Sequence, residues 1–486
     1  MEKTMNLTDL ISKLNIVSAP DCDGITVTDI CYDSRKVVKG SLFICLTGGV
    51  ADGHNFAKSA EALGAVAVVA ERMTDSSLPH IIVPDTRVAM FALSAAWFGN
   101  PEQKMKFVGV TGTNGKTSTV FYIKSILDRM GKKTGLIGTA FNMIGDKELP
   151  SLATTPEPLA LMELLKQMYD SGVEYVIMEV SSHSIVQKRV CGIRFQVAAF
   201  TNLTQDHLDY HGTMENYKAA KAELFEIADC AVINIDDETG KEFSKTAPCK
   251  KYTYSAIYNS ADFVAKETKI RANGVKFLAV TLGGIAKVSV ATPGTFTVSN
   301  LLAAIGSVCA LGFDFTELMP HLSNLPGVIG RAQIISGERP YTVMIDYAHT
   351  PDGIENILLS VREYAKGRVV TLFGCGGDRD KTKRPIMGKI ASKHSDFVIV
   401  TSDNPRTEDP NTIIEDILPG VSQSKTPYIV IADRREAIAY AIRNAKPDDM
   451  IVLAGKGHEK YQILGTQKFD FDEEKIAIQF MEEVEK

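Results

Sequence analysis

Lys106-Phe107-Val108-Gly109-Val110-Thr111-Gly112-Thr113-Asn114-Gly115-Lys116-Thr117-Ser118 is the stretch on which the fold turns. An apolar strand, Lys106 to Val110, runs into a glycine loop, and a helical pattern follows from Thr117 to Met130. Glycines let the backbone curl so that its N–H groups converge on phosphate oxygens. The start of the helix adds partial positive charge. Lys116 is placed to reach the terminal phosphates of a nucleotide, and the Thr117 hydroxyl to ligate Mg²⁺. The spacing is G-x-x-G-K-T, shorter than the common G-x-x-x-x-G-K-[ST], and Val110 stands where the first glycine would fall. A glycine turn with a surface lysine is the plain alternative. Strand, loop, lysine, hydroxyls and helix together outweigh it. No N-K-x-D guanine reader follows, so ATP is favoured over GTP.

Outward from this loop the chain alternates strands and helices. Upstream, Ala65-Val66-Ala67-Val68-Val69 and His80-Ile81-Ile82-Val83-Pro84 read as buried strands, and Gly99-Asn100-Pro101 as a turn. Downstream, strands are expected at Tyr175–Met178 and Ala231–Asn234, and a helix after Thr297 containing Asn300, Ala303 and Ala304. Residues Lys251 to Val290 alternate like a small antiparallel patch. From Arg331 onward, strands fall at Val343–Ile345, Val369–Phe373, Phe397–Val400 and Met450–Leu453, with helices between. This pattern predicts an α/β fold with mainly parallel sheets covered on both faces.

The length of 486 residues suggests about three domains. The formal net charge of -6 argues against a nucleic-acid surface, although a local pocket can still be basic. None of the 8 cysteines forms a C-x-x-C pair, which argues against a zinc ribbon or redox dithiol. A disulfide framework is not expected in a chain of this size without a secretory signal. Met1 to Ile16 has no long apolar core, so neither a signal peptide nor a membrane anchor is expected. A cytoplasmic protein with reduced thiols, monomeric and without membrane insertion, is the expectation.

Two further clusters carry chemistry. Glu179 ends the apolar strand that starts at Tyr175, on the rim that a parallel sheet shares with the phosphate loop. It is a candidate Mg²⁺ ligand, the alternative being a solvated strand-end acid. Ser181, Ser182 and His183 follow at once. Asp206, His207, Asp209 and His211 crowd one short stretch, a pattern used by metal sites and equally by caps and turns. Lys221 lies in an expected helix, where a solvated face is the default.

In order along the chain, these motifs resemble the Mur ligase family. The resemblance covers nearly the whole length. It rests on Asp33-Ser34-Arg35, Gly112–Ser118, Ala153-Thr154-Thr155-Pro156, Glu179–His183 and Asp206–Gly212. It continues through Gly330-Arg331, Asp346–Pro351, Asp403–Arg406 and Gly455–Glu459. It implies three domains: 1–100 binding a uridine nucleotide, 101–331 with a phosphate-loop ATPase-like parallel sheet, and 332–486 Rossmann-like and binding an amino acid. Ser34 would contact the uridine nucleotide. Thr154, Thr155, Ser181, Gln187 and Arg189 would hold a muramoyl dipeptide, UDP-N-acetylmuramoyl-L-Ala-D-Glu. The loop Gly112, Thr113, Asn114, Gly115, Lys116, Thr117 and Ser118 would bind ATP with Asn300, Arg331 and Asp346. Thr117, Glu179 and His207 would surround Mg²⁺, joined by Lys221 as a carbamate. Lys116, Glu179, His207 and Lys221 would form the catalytic set. The implied reaction passes through an acyl phosphate.

The residues also bear on the second substrate. Arg406 offers a planar fork suited to a carboxylate, while Asp403 and Glu459 can accept bonds from an ammonium group. meso-Diaminopimelate carries both groups at its far end; lysine lacks the second carboxylate. On spacing alone, a turn with a surface arginine fits Asp403–Arg406 equally well. The family's diaminopimelate-type motif tips the balance and brings in Asn404, Pro405 and Gly455; Arg379, within Gly377-Asp378-Arg379-Asp380, is a second candidate carboxylate contact. The rival readings are a lysine-adding muramoyl ligase, a folylpolyglutamate synthetase, and a phosphate-loop switch without ligase activity.

Overall fold

The computed structural model describes residues 3–48, 51–151 and 153–485. Met1 and Glu2 of the amino-terminal stretch, and the side chain of Asp209, lie outside that description. Three sheets organise the molecule. The first has four parallel strands, Asp29–Cys31, Ser41–Ile44, Ala67–Ala70 and His80–Ile82. The third of these begins at Ala67, two residues later than the apolar run suggested. Its helix Thr86–Phe98 is capped by Asp85 and stopped by Gly99 in the left-handed conformation.

The central sheet has eleven strands. Its heart is parallel: Thr134–Ile137, Tyr175–Glu179, Lys106–Thr111, Phe195–Phe200 and Ala228–Asn234 lie side by side in that order. Val108 and Val110 face one core with Ile123 and Leu127 of the helix Lys116–Arg129 and Leu301 of the helix Thr295–Ala310. Phe107 and Met178 face the opposite core, with Leu161, Leu165, Leu224 and Phe225. Both faces are dry, which is why these strands read as unbroken apolar runs.

The 251–290 patch is only partly as expected. Lys250–Ser255 pairs in parallel with Ala228–Asn234, and only Phe263–Arg271, Gly274–Thr281 and Gly284–Val290 pair antiparallel. The patch is therefore the edge of the central sheet rather than a unit of its own.

In the third sheet Thr342–Asp346, Met450–Ala454, Val369–Phe373, Phe397–Val400 and Tyr428–Val430 are parallel, and Gln333–Ile334 adds an antiparallel edge. Helices cover both faces, with Ile354, Leu358 and Ile417 in one core and Ile438, Ile442 and Phe480 in the other. This doubly wound arrangement places ligands at the carboxyl ends of the strands. Among the described residues, no helix is long and apolar enough to cross a membrane.

Candidate active site

The phosphate loop leaves the carboxyl end of the strand Lys106–Thr111 and enters the helix Lys116–Arg129 at Gly115. Gly115 has φ of 83°, and a Cβ there would collide with Asn300 Oδ1. Gly112 likewise has no room beside the Thr201 hydroxyl. Both positions need glycine, because the loop is pressed against Asn300 on one side and Thr201 on the other. Asn300, buried at the loop's back, was expected to grip the nucleotide; here it lies directly against Gly115. The Lys116 Nζ curls back onto the loop, donating to the carbonyls of Gly112 at 3.0 Å and Thr113 at 2.8 Å. Burial lowers its pKa, opposed by Glu179 and Asp206.

Glu179 is buried and fully engaged. It accepts from the Thr117 hydroxyl at 3.0 Å, the Thr139 N–H at 2.8 Å and the Thr139 hydroxyl at 3.0 Å. The solvated alternative for this acid is excluded. Thr139 was not singled out from the sequence. It sits just past the strand Thr134–Ile137, the neighbour of the Glu179 strand, and its position on the rim is the signal that was available. Thr139 also contacts the Thr154 hydroxyl at 3.0 Å, and Thr155 donates to the Glu179 carbonyl at 2.8 Å. Arg189 donates to the Thr155 carbonyl at 2.8 Å and the Gln187 side chain at 2.6 Å, and pairs with Glu157 at 2.8 Å. Thr154, Thr155, Gln187 and Arg189 thus form one connected strip beside Glu179. Ser181 adjoins it, its N–H donating to the Thr155 hydroxyl at 3.2 Å and its own hydroxyl capping the helix Ser182–Val186. Ser34 opens a short turn capped by Asp33, and the charges of Glu157 and Arg189 act on neighbouring Tyr32.

Lys221 corrects an expectation. It does not lie on a solvated helix face; it is 1% exposed. The helix Met214–Glu226 turns it inward, where its Nζ donates to the Gly112 carbonyl at 2.8 Å and lies 4.4 Å from the centre of the Tyr217 ring. Burial, and then the nearby Lys116, push its pKa well below the ordinary lysine value. Tyr217 is the hub of this side of the site. It stacks on His211, lies edge-on to His207 and reaches the Thr113 hydroxyl at 3.3 Å. His211 also bonds the Ser182 hydroxyl at 2.8 Å. His207 occupies the left-handed region at φ 54° and lies 3.4 Å from Asp206. Thr117 and Glu179 are therefore brought into contact, whereas His207 and Lys221 meet around Tyr217. Among the described residues, no group of three or more His, Cys, Asp or Glu side chains forms a metal cluster.

The junction to the third domain, and that domain itself, touch the loop directly. Arg331 donates to the Thr117 hydroxyl at 3.1 Å and lies 4.8 Å from the centre of the Tyr347 ring. Asp346 is buried, and its carboxylate accepts the N–H groups of Ala332 at 2.7 Å and Ala348 at 2.8 Å. Burial raises its pKa, with Arg331 opposing. It holds the backbone just past the junction, at Ala332 and Ala348, rather than facing the loop. Asp352, on the first turn of the helix Pro351–Arg362, accepts from the Asn114 amide and from the Thr204 hydroxyl at 3.1 Å.

At the far rim, Asp403, Asn404 and Pro405 are buried beyond the strand Phe397–Val400. Asn404 and Lys456 both reach Glu459, at 2.8 and 3.3 Å. A Cβ at Gly455 would press on Asp403 Oδ2, so these residues are also neighbours. Arg406 is half-buried with φ of 53°, and its guanidinium donates to the Gly377 carbonyl at 2.8 Å. Arg379 is exposed and faces an open cleft of about 560 Å³ with Asp378, Asp380, Lys381 and Glu408. The arginines flank one pair of loops, with Asp403 and Glu459 behind.

A phosphate loop beside a strand-end acid, with a second parallel-sheet domain docked over it, defines an ATP-dependent amide-forming ligase. Residues 26–103 match the Mur ligase family catalytic domain, 110–308 the Mur ligase middle domain, and 330–457 the Mur ligase glutamate ligase domain. The chain belongs to the Mur ligase family. A Clostridium botulinum protein named UDP-N-acetylmuramoyl-L-alanyl-D-glutamate--2,6-diaminopimelate ligase is 45% identical over 465 residues, 94% of this chain and 96% of its own. A protein of the same name from Caldanaerobacter subterraneus is 45% identical over 487 residues, 99% of this chain and 100% of its own. A solved structure of a ligase of that name superposes with a TM-score of 0.72 at 32% identity, covering 100% of both chains.

Proposed function

We infer that this chain joins meso-2,6-diaminopimelate to the γ-carboxylate of D-glutamate in UDP-N-acetylmuramoyl-L-Ala-D-Glu, at the expense of ATP, in peptidoglycan precursor synthesis. The observation that carries this reading is the run of contacts Lys116–Gly112–Lys221 and Arg331–Thr117–Glu179–Thr139–Thr154, which links phosphate loop, acid and dipeptide strip. The two relatives that share the name also share nearly the whole length.

The chemistry follows from the residues. The D-glutamate carboxylate attacks the ATP γ-phosphoryl group, forming an acyl phosphate and ADP. The amine of diaminopimelate then attacks the acyl carbon, and phosphate leaves. Charge accumulates on the phosphoryl oxygens in the first step, and Lys116 and Arg331 are the cations that answer it. Lys116 must swing from the Gly112 and Thr113 carbonyls to the phosphates.

Thr117 and Glu179 fit Mg²⁺, because a hydroxyl and a carboxylate already in contact are hard oxygen donors. A carbamate on Lys221 would place further oxygens at the loop, with His207 on the same side. When bound, the ion neutralises phosphate charge. Thr154, Thr155, Ser181, Gln187 and Arg189 orient the dipeptide, and Ser34 contacts the uridine nucleotide. Asn300 and Asp346 support the nucleotide site from behind the loop and at the domain junction. Arg379 and Arg406 take the distal carboxylate of diaminopimelate, and Asp403 and Glu459 its ammonium group, framed by Asn404, Pro405 and Gly455. A site built for that carboxylate rejects lysine, since an unpaired guanidinium would remain. Domains 1–100, 101–331 and 332–486 divide these tasks. Eight free cysteines agree with a cytoplasmic location.

The test is phosphate release with an amino-acid panel. Release is expected only when ATP, UDP-N-acetylmuramoyl-L-Ala-D-Glu and meso-diaminopimelate are all present. Equal turnover with L-lysine would overturn the choice of amino acid, and no turnover with any diamino acid would overturn the function.

A further inference from the structure

We propose that Arg384 and Glu408 act as a positioning clamp that sets the spacing of the two arginine-bearing loops and so the preference for a diamino acid with a second carboxylate. Arg384 is 0% exposed, unusual for a guanidinium, and it is not part of the family motifs read above. Its Nη1 donates to Glu408 at 3.0 Å and to Asp416 at 2.8 Å. Its Nη2 donates to the other Glu408 oxygen at 2.8 Å and to the Gly376 carbonyl at 3.3 Å. The fork is therefore bidentate on Glu408 and tied to the glycine loop at once, a geometry lysine cannot reproduce.

Glu408 completes the bridge. It accepts the Asp378 N–H at 2.6 Å and pairs with Lys381 at 3.2 Å. Asp378 returns the link, accepting the Thr407 N–H at 3.2 Å and the Thr407 hydroxyl at 2.7 Å. The loop 376–381 carries Arg379, and the loop 403–408 carries Arg406. The bonds of Glu408 and Thr407 to Asp378 and Lys381 cross between the two loops, Arg384 anchors both loops to the helix Lys383–His394, and its bond to Asp416 ties that helix to the helix Pro410–Val421. Asp378, Arg379, Asp380, Lys381 and Glu408 then line the open cleft. A shift of either loop changes the gap between the two guanidinium groups. Recognition of a carboxylate by paired forks depends on that gap.

The inference rests on the assignment of Arg379 and Arg406 to the distal carboxylate. Its test is a comparison of wild type with Glu408→Gln, which keeps the shape and removes the charge, and with Thr407→Val, which removes one cross-loop bond. Arg384→Ala is avoided because it empties a fully buried position, leaves the half-buried Glu408 without its bidentate partner, and threatens folding. In Glu408→Gln the KM for meso-diaminopimelate is expected to rise about tenfold, on the order of one lost charge-assisted hydrogen bond. The KM values for ATP and the UDP-dipeptide and kcat should stay unchanged. The ratio of kcat/KM for diaminopimelate over lysine should fall by a similar factor, with a smaller fall in Thr407→Val. An unchanged ratio in both variants overturns the clamp. So does an equal loss toward all three substrates, which marks a merely structural role. A wild-type protein that turns over lysine as well as diaminopimelate overturns the underlying assignment, and the clamp with it.

Discussion

Lys221 and Lys116 donate to the same oxygen, the carbonyl of Gly112, at 2.8 and 3.0 Å. Two ammonium groups on one acceptor repel each other, and Lys221 is the more deeply buried. Burial and Lys116 both favour its neutral form. A neutral amine is the species that adds to CO₂, and the resulting carbamate would turn a repelling cation into a ligand for Mg²⁺. With ¹³C-bicarbonate, the wild-type protein should show a carbamate carbonyl resonance that is missing in Lys221→Ala. That variant should be inactive, and bicarbonate should not restore it. Full activity in Lys221→Ala would remove the carbamate from the account.

Asp352 and Thr204 make a contact of a different kind, joining the third domain to the phosphate-loop rim at 3.1 Å, with Asn114 bonded to the same carboxylate oxygen. Hydrogen bonds to a charged group are the stronger sort. Asp352→Ala should lower kcat/KM for ATP by about 10- to 100-fold, the range for losing such bonds. The melting temperature should barely move, because the cores on either side are untouched. Unchanged kinetics would show that the contact does not help to register the domains.

His458 supplies a pH signature. Burial, then the charges of Arg331, His349 and Lys456, push its pKa down to about 3. Among the described residues, no partner reaches its buried Nδ1. The unfolded chain takes up a proton here near pH 6.5, whereas the folded chain does so only near pH 3. The contribution to stability is thus whole above about pH 6.5 and is lost as pH falls toward 3. Between pH 7 and pH 5, the melting temperature should drop more in wild type than in His458→Asn. Equal drops would mean that His458 titrates normally in the folded protein.

The parts of this site legible in the sequence are those whose chemistry is local. Gly112 to Ser118 lies between one strand and one helix, and Glu179 ends a strand whose apolar run is unbroken. The parallel rim that joins them follows from the same pattern. The residues alone left Lys221 on a solvated face by default, and only the family resemblance drew it into the site, because its helix, Met214–Glu226, has charged residues on several sides and packing against the Gly112 loop decides which side turns inward. Thr139, Asp352, Arg384 and Glu408 were missed for another reason. Each is a single polar residue whose partner lies far away in the chain, and no spacing rule joins them. The 251–290 segment failed on topology: its alternation is real, but the parallel pairing of Cys230 with Lys250 is decided by the crossover helix Glu238–Thr246 and not by the strand itself.

Transfer of ¹⁸O tests the central claim, carboxylate activation on this phosphate loop, most directly. The D-glutamate γ-carboxylate of the UDP-dipeptide is labelled with ¹⁸O, turnover is run with ATP and meso-diaminopimelate, and the released phosphate is weighed by mass spectrometry. The account predicts one ¹⁸O atom in each phosphate released, because the labelled oxygen bridges carbon and phosphorus before the amine attacks. Amide product formed with unlabelled phosphate would contradict it.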